Sequence, residues 1–188
     1  MMKKILALFM ILLMTFSLIA CGDSSKDEDT EDTSVDTQES DAEENKDESK
    51  NDVYFKDNEV KIEDLKIKIK ETKVIPVGEA GNEYGEKPVF AIWYETTNLT
   101  DKEIDPLTAW IAVFTAIQDN DENAINELEV GSLPDENHLD SQSEAIKKDG
   151  TVENSIAYEL DDLETPVTLV ANQGIAGEEI GREEYEIK

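Results

Sequence analysis

The chain has one cysteine in 188 residues, so it can form no intramolecular disulfide and no thiolate metal cluster. Histidine is equally scarce. His138 is alone, set in the polar stretch PDENHLDSQ. A Ser–His–acid triad can be assembled on paper from it, yet no G-x-S-x-G or other nucleophile-elbow context surrounds any serine. Bases are few as well: 17 Lys and Arg stand against 46 Asp and Glu, a formal net charge of −29. Phosphate binding needs clustered Lys and Arg that displace counterions, and this field repels polyanions, which excludes nucleic acid as a partner. Phosphate loops are missing too. GEAGNEYGEK has three glycines but neither the spacing nor the Lys-Ser/Thr of a P-loop. With no internal repeat, no sustained heptad and no cofactor motif, the sequence predicts no cofactor and no catalysis.

What is present begins with an address. Met1-Met2-Lys3-Lys4 is a short basic start, and residues 5–20 follow with only Thr15 and Ser17 polar. As a helix these 16 residues span roughly 24 Å at 1.5 Å per residue. That is short against a hydrocarbon core about 30 Å thick, and it suits the apolar region of a signal peptide. The run ends Leu18-Ile19-Ala20-Cys21, which resembles the lipobox of bacterial lipoproteins. The resemblance implies a signal peptide over 1–20, cleavage between Ala20 and Cys21, and a diacylglyceryl group on the Cys21 sulfur. Each buried CH₂ contributes about 0.8 kcal/mol, and two acyl chains anchor stably where one does not. The expected place is the extracellular face of the cell membrane. The competing readings are a functional thiol at Cys21, or an apolar core helix with an incidental cysteine.

Residues 21–52 form the second expected unit, the lipidated cysteine and an acidic linker. From Gly22 to Asp52 there are 14 acids, 3 lysines and only Val35 and Ala42 as apolar side chains. Such a stretch cannot bury enough apolar surface to offset its ordering entropy, so disorder is predicted. A neutral flexible chain of 31 residues has an end-to-end distance of roughly 30 Å, and self-repulsion lengthens it. A solvated spacer is the simplest reading. A weak cation sink and a docking tail for a basic partner are the alternatives.

Residues 53–188 carry 32 acids and 12 bases, and their length suits one domain with a core of its own. EVKIEDLKIKIKETKVIPV alternates as strands do, with a change of parity at Glu63-Asp64 that predicts a turn or bulge. Its outward lysines read as a solvated sheet face, with a phosphate-binding patch as the alternative. KPVFAIWYETTN is apolar on both faces from Val89 to Tyr94, as a central covered strand is. Asp105-Pro106 predicts an N-cap and first helical residue, with a helical turn over 105–110 passing into a β-branched strand to about 118. Strands are also expected in GTVENSIAYELDD, TPVTLVAN and EEYEIK, separated by turns at Asp149-Gly150 and Asn172 to Gly174.

Six or more short strands with little helix predict an all-β chain, an antiparallel Ig-like β-sandwich over 53–188. The Cys…Trp…Cys hallmark of true Ig domains is absent. The order of lipobox, acidic linker, VFAIWYETTNLTDKEIDP, FTAIQDND and DGTVENSIAYELDDLETPVTLVA resembles an uncharacterised family of Gram-positive lipoproteins. That resemblance covers about residues 53–175. It implies an Ig-like C-terminal domain of unknown function and brings no catalytic or binding residues with it.

Remaining candidates are local. Asp119, Asp121 and Asn123 occupy the first, third and fifth positions of an EF-hand-like calcium loop, but Ala124 stands where the sharp turn needs glycine. Val130 stands where the bidentate Glu belongs, so a polar connection is the competing reading. Asn98-Leu99-Thr100 fits a glycosylation sequon formally, an idle one in a bacterial lipoprotein. Trp93, Tyr94, Trp110 and Phe114 read as core, or else as the lining of a ligand groove. The expectation is a non-catalytic binding domain for an envelope protein or ligand. An envelope enzyme or accessory subunit and a solute-capture lipoprotein feeding a transporter are the alternatives.

Overall fold

A computed structural model describes residues 53–187 of the chain. The expected signal peptide and acidic linker, with Ala20 and Cys21, lie outside the described residues. Eight strands and one helix follow in order: β1 (Tyr54–Lys56), β2 (Glu59–Lys61), β3 (Leu65–Ile75), β4 (Val89–Asn98), α1 (Pro106–Val113), β5 (Phe114–Ile117), β6 (Thr151–Glu159), β7 (Val167–Asn172) and β8 (Glu179–Tyr185). They make two antiparallel sheets, one of five strands in the order β1-β2-β3-β4-β6 and one of three in the order β5-β7-β8. The predicted all-β sandwich is therefore the fold.

The strands follow from alternation. Leu65, Ile67 and Ile69 of β3 are buried while Lys66, Lys68 and Lys70 turn outward. Beyond Ile69 the register slips at Lys70, a bulge that moves Val74 to the core side and puts Ile75 on the outer face. The parity change expected at Glu63-Asp64 is a tight turn, closed by the Ile62 N–H donating to the Leu65 carbonyl at 3.0 Å. β1 was not expected. It is only three residues long, and it pairs with β2 through Asp57 and Asn58, whose φ values of 54° and 60° are those of a type I′ hairpin turn. β8 also starts earlier than EEYEIK implied, at Glu179, and ends at Tyr185.

The helix forms where its cap allows. The Asp105 carboxylate accepts the Thr108 N–H at 2.8 Å with Pro106 in the first turn, and the helix stops where Phe114 turns extended. It runs three residues beyond the predicted turn because Trp110 and Val113 both find the core. Trp110 is fully buried, its ring 4.4 Å from Tyr94 and 4.5 Å from Phe114, and its indole N–H donates to the Tyr158 hydroxyl at 2.8 Å. Burial pushes the Tyr158 hydroxyl up to about 12, so it stays protonated. Gly181 lets β8 lie against β1, since a Cβ there would sit 3.0 Å from the Phe55 carbonyl oxygen.

The connection from β5 to β6 does more than join them. The Leu128 N–H donates to Ala116 on the edge of β5, and the Gly131 N–H donates to Ala157 on the edge of β6, both at 2.9 Å. Residues 126–131 thus cross from one sheet to the other, burying Leu128 between them. The chain then lies over the outer face of the larger sheet, above a small apolar cluster of Ile75, Val89, Ala91 and Ala157 with Trp93 against it.

Candidate functional site

The two sheets present opposite outer faces, and these differ in chemistry. On the three-stranded sheet the outward positions of β5 and β7 are Thr115, Ile117, Thr168, Val170 and Asn172, an uncharged patch beside the outward Arg182 and Glu184 of β8, in a chain that is 34% charged. Ile125, from the loop after β5, stands beside it with 77% of its surface exposed. Together they form a groove of about 330 Å³, floored by Thr115, Ile117 and Val170 and rimmed by Asp119, Glu127, Glu179 and Arg182. Thr115 and Asn172 also border a second hollow that carries exposed Ile111 and Ile175, so the apolar surface continues across the sheet. Contiguous apolar surface of this kind on a soluble domain marks a contact site more often than a single exposed side chain does.

The rim is held rigidly. Gln118, at the end of β5, is fully buried, and its amide donates to the Thr165 carbonyl at 2.8 Å while its oxygen accepts the Asp161 N–H at 2.8 Å. Asn126 donates to Asn120 and to Asp161, and Asn120 donates to Asp162. The Asp162 carboxyl is held well below the usual carboxylate range, first by the Thr165 backbone N–H, then by the Asn120 amide and the Glu164 N–H. This network fixes the turn between β6 and β7 against the loop that carries Ile125. Gln118 and Asn120, within the FTAIQDND stretch, supply one side of that network, and Asp161 and Asp162, at the end of GTVENSIAYELDD, supply the other.

Other sequence candidates fall into place individually. Asp121 accepts the N–H groups of Asn123 at 2.7 Å and Ala124 at 3.0 Å through one oxygen, the geometry of a turn cap, while Asp119 points to the groove rim. Among the described residues no three of His, Cys, Asp or Glu are grouped to hold a metal ion. Asn98 is buried with both amide hydrogens used, on the carbonyls of Lys102 and Ile146, so it is a lock for the end of β4 rather than an acceptor for sugar. Tyr94, Trp110 and Phe114 are core; Trp93 sits half-buried on the outer face and donates to Asp135 at 3.1 Å.

His138 is not free in its loop. Its Nδ1 lies 2.9 Å from the Ser155 hydroxyl, a pairing 17 residues apart that no local motif announces. The geometry is unlike a hydrolytic triad, because Ser155 is fully buried and the Asp135 oxygens bond Trp93 and Asn137 instead of the imidazole. That Trp93 contact, ahead of the Asn137 N–H, holds the Asp135 carboxyl below its ordinary value. The groove itself was missed at the sequence level. Its one signal was the uncharged character of both faces of FTAI and VTLVAN.

Among the described residues no helix is long and apolar enough to cross a membrane. The family model described as Domain of unknown function (DUF5067) matches residues 39–173. A solved structure from Staphylococcus aureus subsp. aureus NCTC 8325, described as a candidate lipoprotein, has a similar fold. The TM-score is 0.61 at 21% identity, over 72% of this chain and 92% of that one. No curated protein matches the chain.

Proposed function

The chain belongs to the DUF5067 family, and from that premise and the surface just described we propose a lipid-anchored cell-surface protein whose domain binds a partner without catalysis. The observation that carries the reading is the uncharged groove on the three-stranded sheet, continuous with exposed Ile111, Ile125 and Ile175 and rimmed mainly by acids. A partner that fits offers an apolar strip flanked by basic side chains. Desolvating the apolar centre supplies affinity, while the charged rim sets orientation. The lipobox-like Leu18-Ile19-Ala20-Cys21 supports the anchor, and the described similarity of a staphylococcal candidate lipoprotein agrees with it. The anchored form belongs on the extracellular face of a Gram-positive membrane.

The domain is of the Ig-like kind in this reading. β3, β4 and β6 follow the order of Ig strands A, B and E, and β5, β7 and β8 follow C, F and G. The crossing segment 126–131 takes the place of strand D beside β6.

The test is a photo-crosslinking residue placed at Ile125, Ile175 or Tyr84 in the full chain expressed in its host. Tyr84 is 96% exposed and lies in a different loop. One discrete adduct from Ile125 and Ile175 but not from Tyr84, abolished by Val170→Asp, is expected. Adducts spread equally over all three positions defeat the groove. Turnover of a hydrolase substrate, lost on Ser155→Ala or on replacing a single acid, defeats the non-catalytic reading.

A further inference from the structure

The outer face of the five-stranded sheet departs from the charge of the rest of the domain. Lys56, Lys61, Lys66, Lys68, Lys70 and Lys73 stand outward on β1, β2 and β3, and Glu59 and Glu71 are the only outward acids on those strands. The other half of the bases of 53–188 is spread among 30 of its 32 acids. Lys66 pairs with Glu59 at 3.6 Å, Lys70 pairs with Glu95 at 2.7 Å, and Lys56 lies 5.1 Å over the Tyr54 ring. Lys61, Lys68 and Lys73 form no ion pair among the described residues. The lysines are spread out and do not converge. From Lys66 to Lys73 β3 covers roughly 23 Å, and the three strands together span roughly 10 Å. Lys61 and Lys66 are half-buried, and the other four are exposed.

We infer that this lysine face docks on an anionic lipid bilayer and leaves the groove of the opposite sheet clear of it. Charge complementarity selects the occupant. Six cations spread over such an area offer no single point that holds one phosphate, whereas a plane of fluid headgroups supplies an anion to each. Attraction to an anionic leaflet acts on lysines near its surface and fades within a Debye length, about 8 Å at physiological salt. Packed sheets lie about 10 Å apart, so the outward acids of the three-stranded sheet are screened from a surface lying against this one. A soluble polyanion has no such advantage, because it approaches through the field of the whole domain. Glu95 and Glu153 pair on β4 and β6 of the same face, which confines the contact to the β1–β3 side. The inference rests on the lipid-anchored reading to one extent: an anchored domain already stays beside a bilayer, so individually weak contacts suffice to orient it.

Amine acylation read by mass spectrometry measures the contact. The full chain made in its host is reconstituted in vesicles of phosphatidylcholine alone, or of phosphatidylcholine and phosphatidylglycerol in equal parts. Lys147 and Lys148, exposed in the loop that leads into β6, correct for the general effect of a charged surface on amine reactivity. At low salt the acylation rates of Lys61, Lys68 and Lys73, relative to those controls, are expected to fall about fivefold on the mixed vesicles and to stay unchanged on phosphatidylcholine. The rates recover at about 1 M salt, where the screening length is about 3 Å. Lys68→Gln with Lys73→Gln returns Lys61 to its rate on phosphatidylcholine. Equal rates on the two compositions overturn the inference, as does protection that survives the high salt. Equal protection of the same lysines on phosphatidylcholine by added soluble polyphosphate also overturns it, and assigns the face to a free polyanion. Flotation with phosphatidylcholine vesicles reports the anchor by itself. A chain that does not float counts against the lipidated reading, and the face is then tested by the same protection with the mixed vesicles in excess.

Discussion

Replacing Gln118 by methionine tests whether the groove rim is held as described. Methionine keeps the length and volume of the side chain and removes only its hydrogen bonds. The Thr165 carbonyl and the Asp161 N–H, each 2.8 Å from the amide, lose their partner, and the weaker contacts to Asp162 at 3.3 and 3.4 Å go with them. An orphaned backbone group costs about 1–3 kcal/mol when water cannot replace the lost partner. Both main partners, the Thr165 carbonyl and the Asp161 N–H, are only partly buried, so water recovers some of this, and a net loss of about 2–4 kcal/mol follows. Domains of this size have about 5–15 kcal/mol in all, so the change is large. For roughly 136 residues it corresponds to a fall in melting temperature of about 6–20 °C.

Urea titration followed by far-ultraviolet circular dichroism measures it, with the midpoint falling and the m-value unchanged. Gln118→Glu adds a pH axis. The ionised carboxylate can accept the two N–H groups but faces the Thr165 and Asp162 carbonyls, so folding favours the protonated acid and raises its pKa above the unfolded value of about 4.3. Stability relative to wild type is then greatest below pH 4 and declines as pH rises through the folded pKa. A methionine variant within 0.5 kcal/mol of wild type, or a glutamate variant whose deficit does not grow between pH 4 and 7, refutes the account of the rim.

Thr96 is fully buried on the inner face of β4 with a hydroxyl that has no hydrogen-bond partner among the described residues, so Thr96→Val removes a desolvation cost and should stabilise by about 1–2 kcal/mol; a lower urea midpoint would contradict this. The Asp135 carboxyl is lowered by Trp93, so its contribution is fully present above the unfolded pKa near 3.9 and is lost as pH falls through its folded value. The difference in melting temperature between wild type and Asp135→Asn should therefore be flat from pH 5 to 8 and shrink below 4; a difference that grows on acidification would refute it. Cys21→Ala should abolish incorporation of an alkyne-tagged fatty acid and leave residues 1–20 attached in mass spectra; persistent label would remove the lipobox reading. Since Asp121 already uses one oxygen on two N–H groups, millimolar calcium should leave the thermal midpoint unmoved, and a rise of several degrees would restore the calcium loop.

Legibility in the sequence tracked the range of the interactions involved. The Asp105-Pro106 helix start, the turn at Glu63-Asp64 and the two-sided β4 were readable because a cap, a parity change and a run of apolar residues are local signals. β1 escaped because three residues are too few to show alternation. The bulge at Lys70 was visible only as a shift from Ile67 and Ile69 to Val74, with Ile75 obscuring it. The crossing of 126–131 between sheets, the cover over Trp93 and the His138–Ser155 contact depend on which segments fold over which, and no window of the sequence carries that. Gln118 and Asn98 read as turn residues at the surface, yet each is buried with its amide hydrogens on backbone carbonyls, the one arrangement in which such a side chain is cheap to bury.

The groove shows the same limit from the other direction. In a two-layer sandwich the inner residues are chosen by packing, while each outer face is free to take any chemistry. β3 fills its outward positions with Lys66, Lys68 and Lys70, whereas β7 fills its own with Thr168, Val170 and Asn172. Alternation reports both strands as strands and cannot say that the first faces solvent with charge while the second faces it with none. Because the two faces point away from each other, charge neutralisation on one leaves the other's chemistry intact. Lys68→Gln with Lys73→Gln should then leave the yield of the Ile125 photo-adduct unchanged, and a loss of that yield would mean that a single partner grips the domain across both sheets.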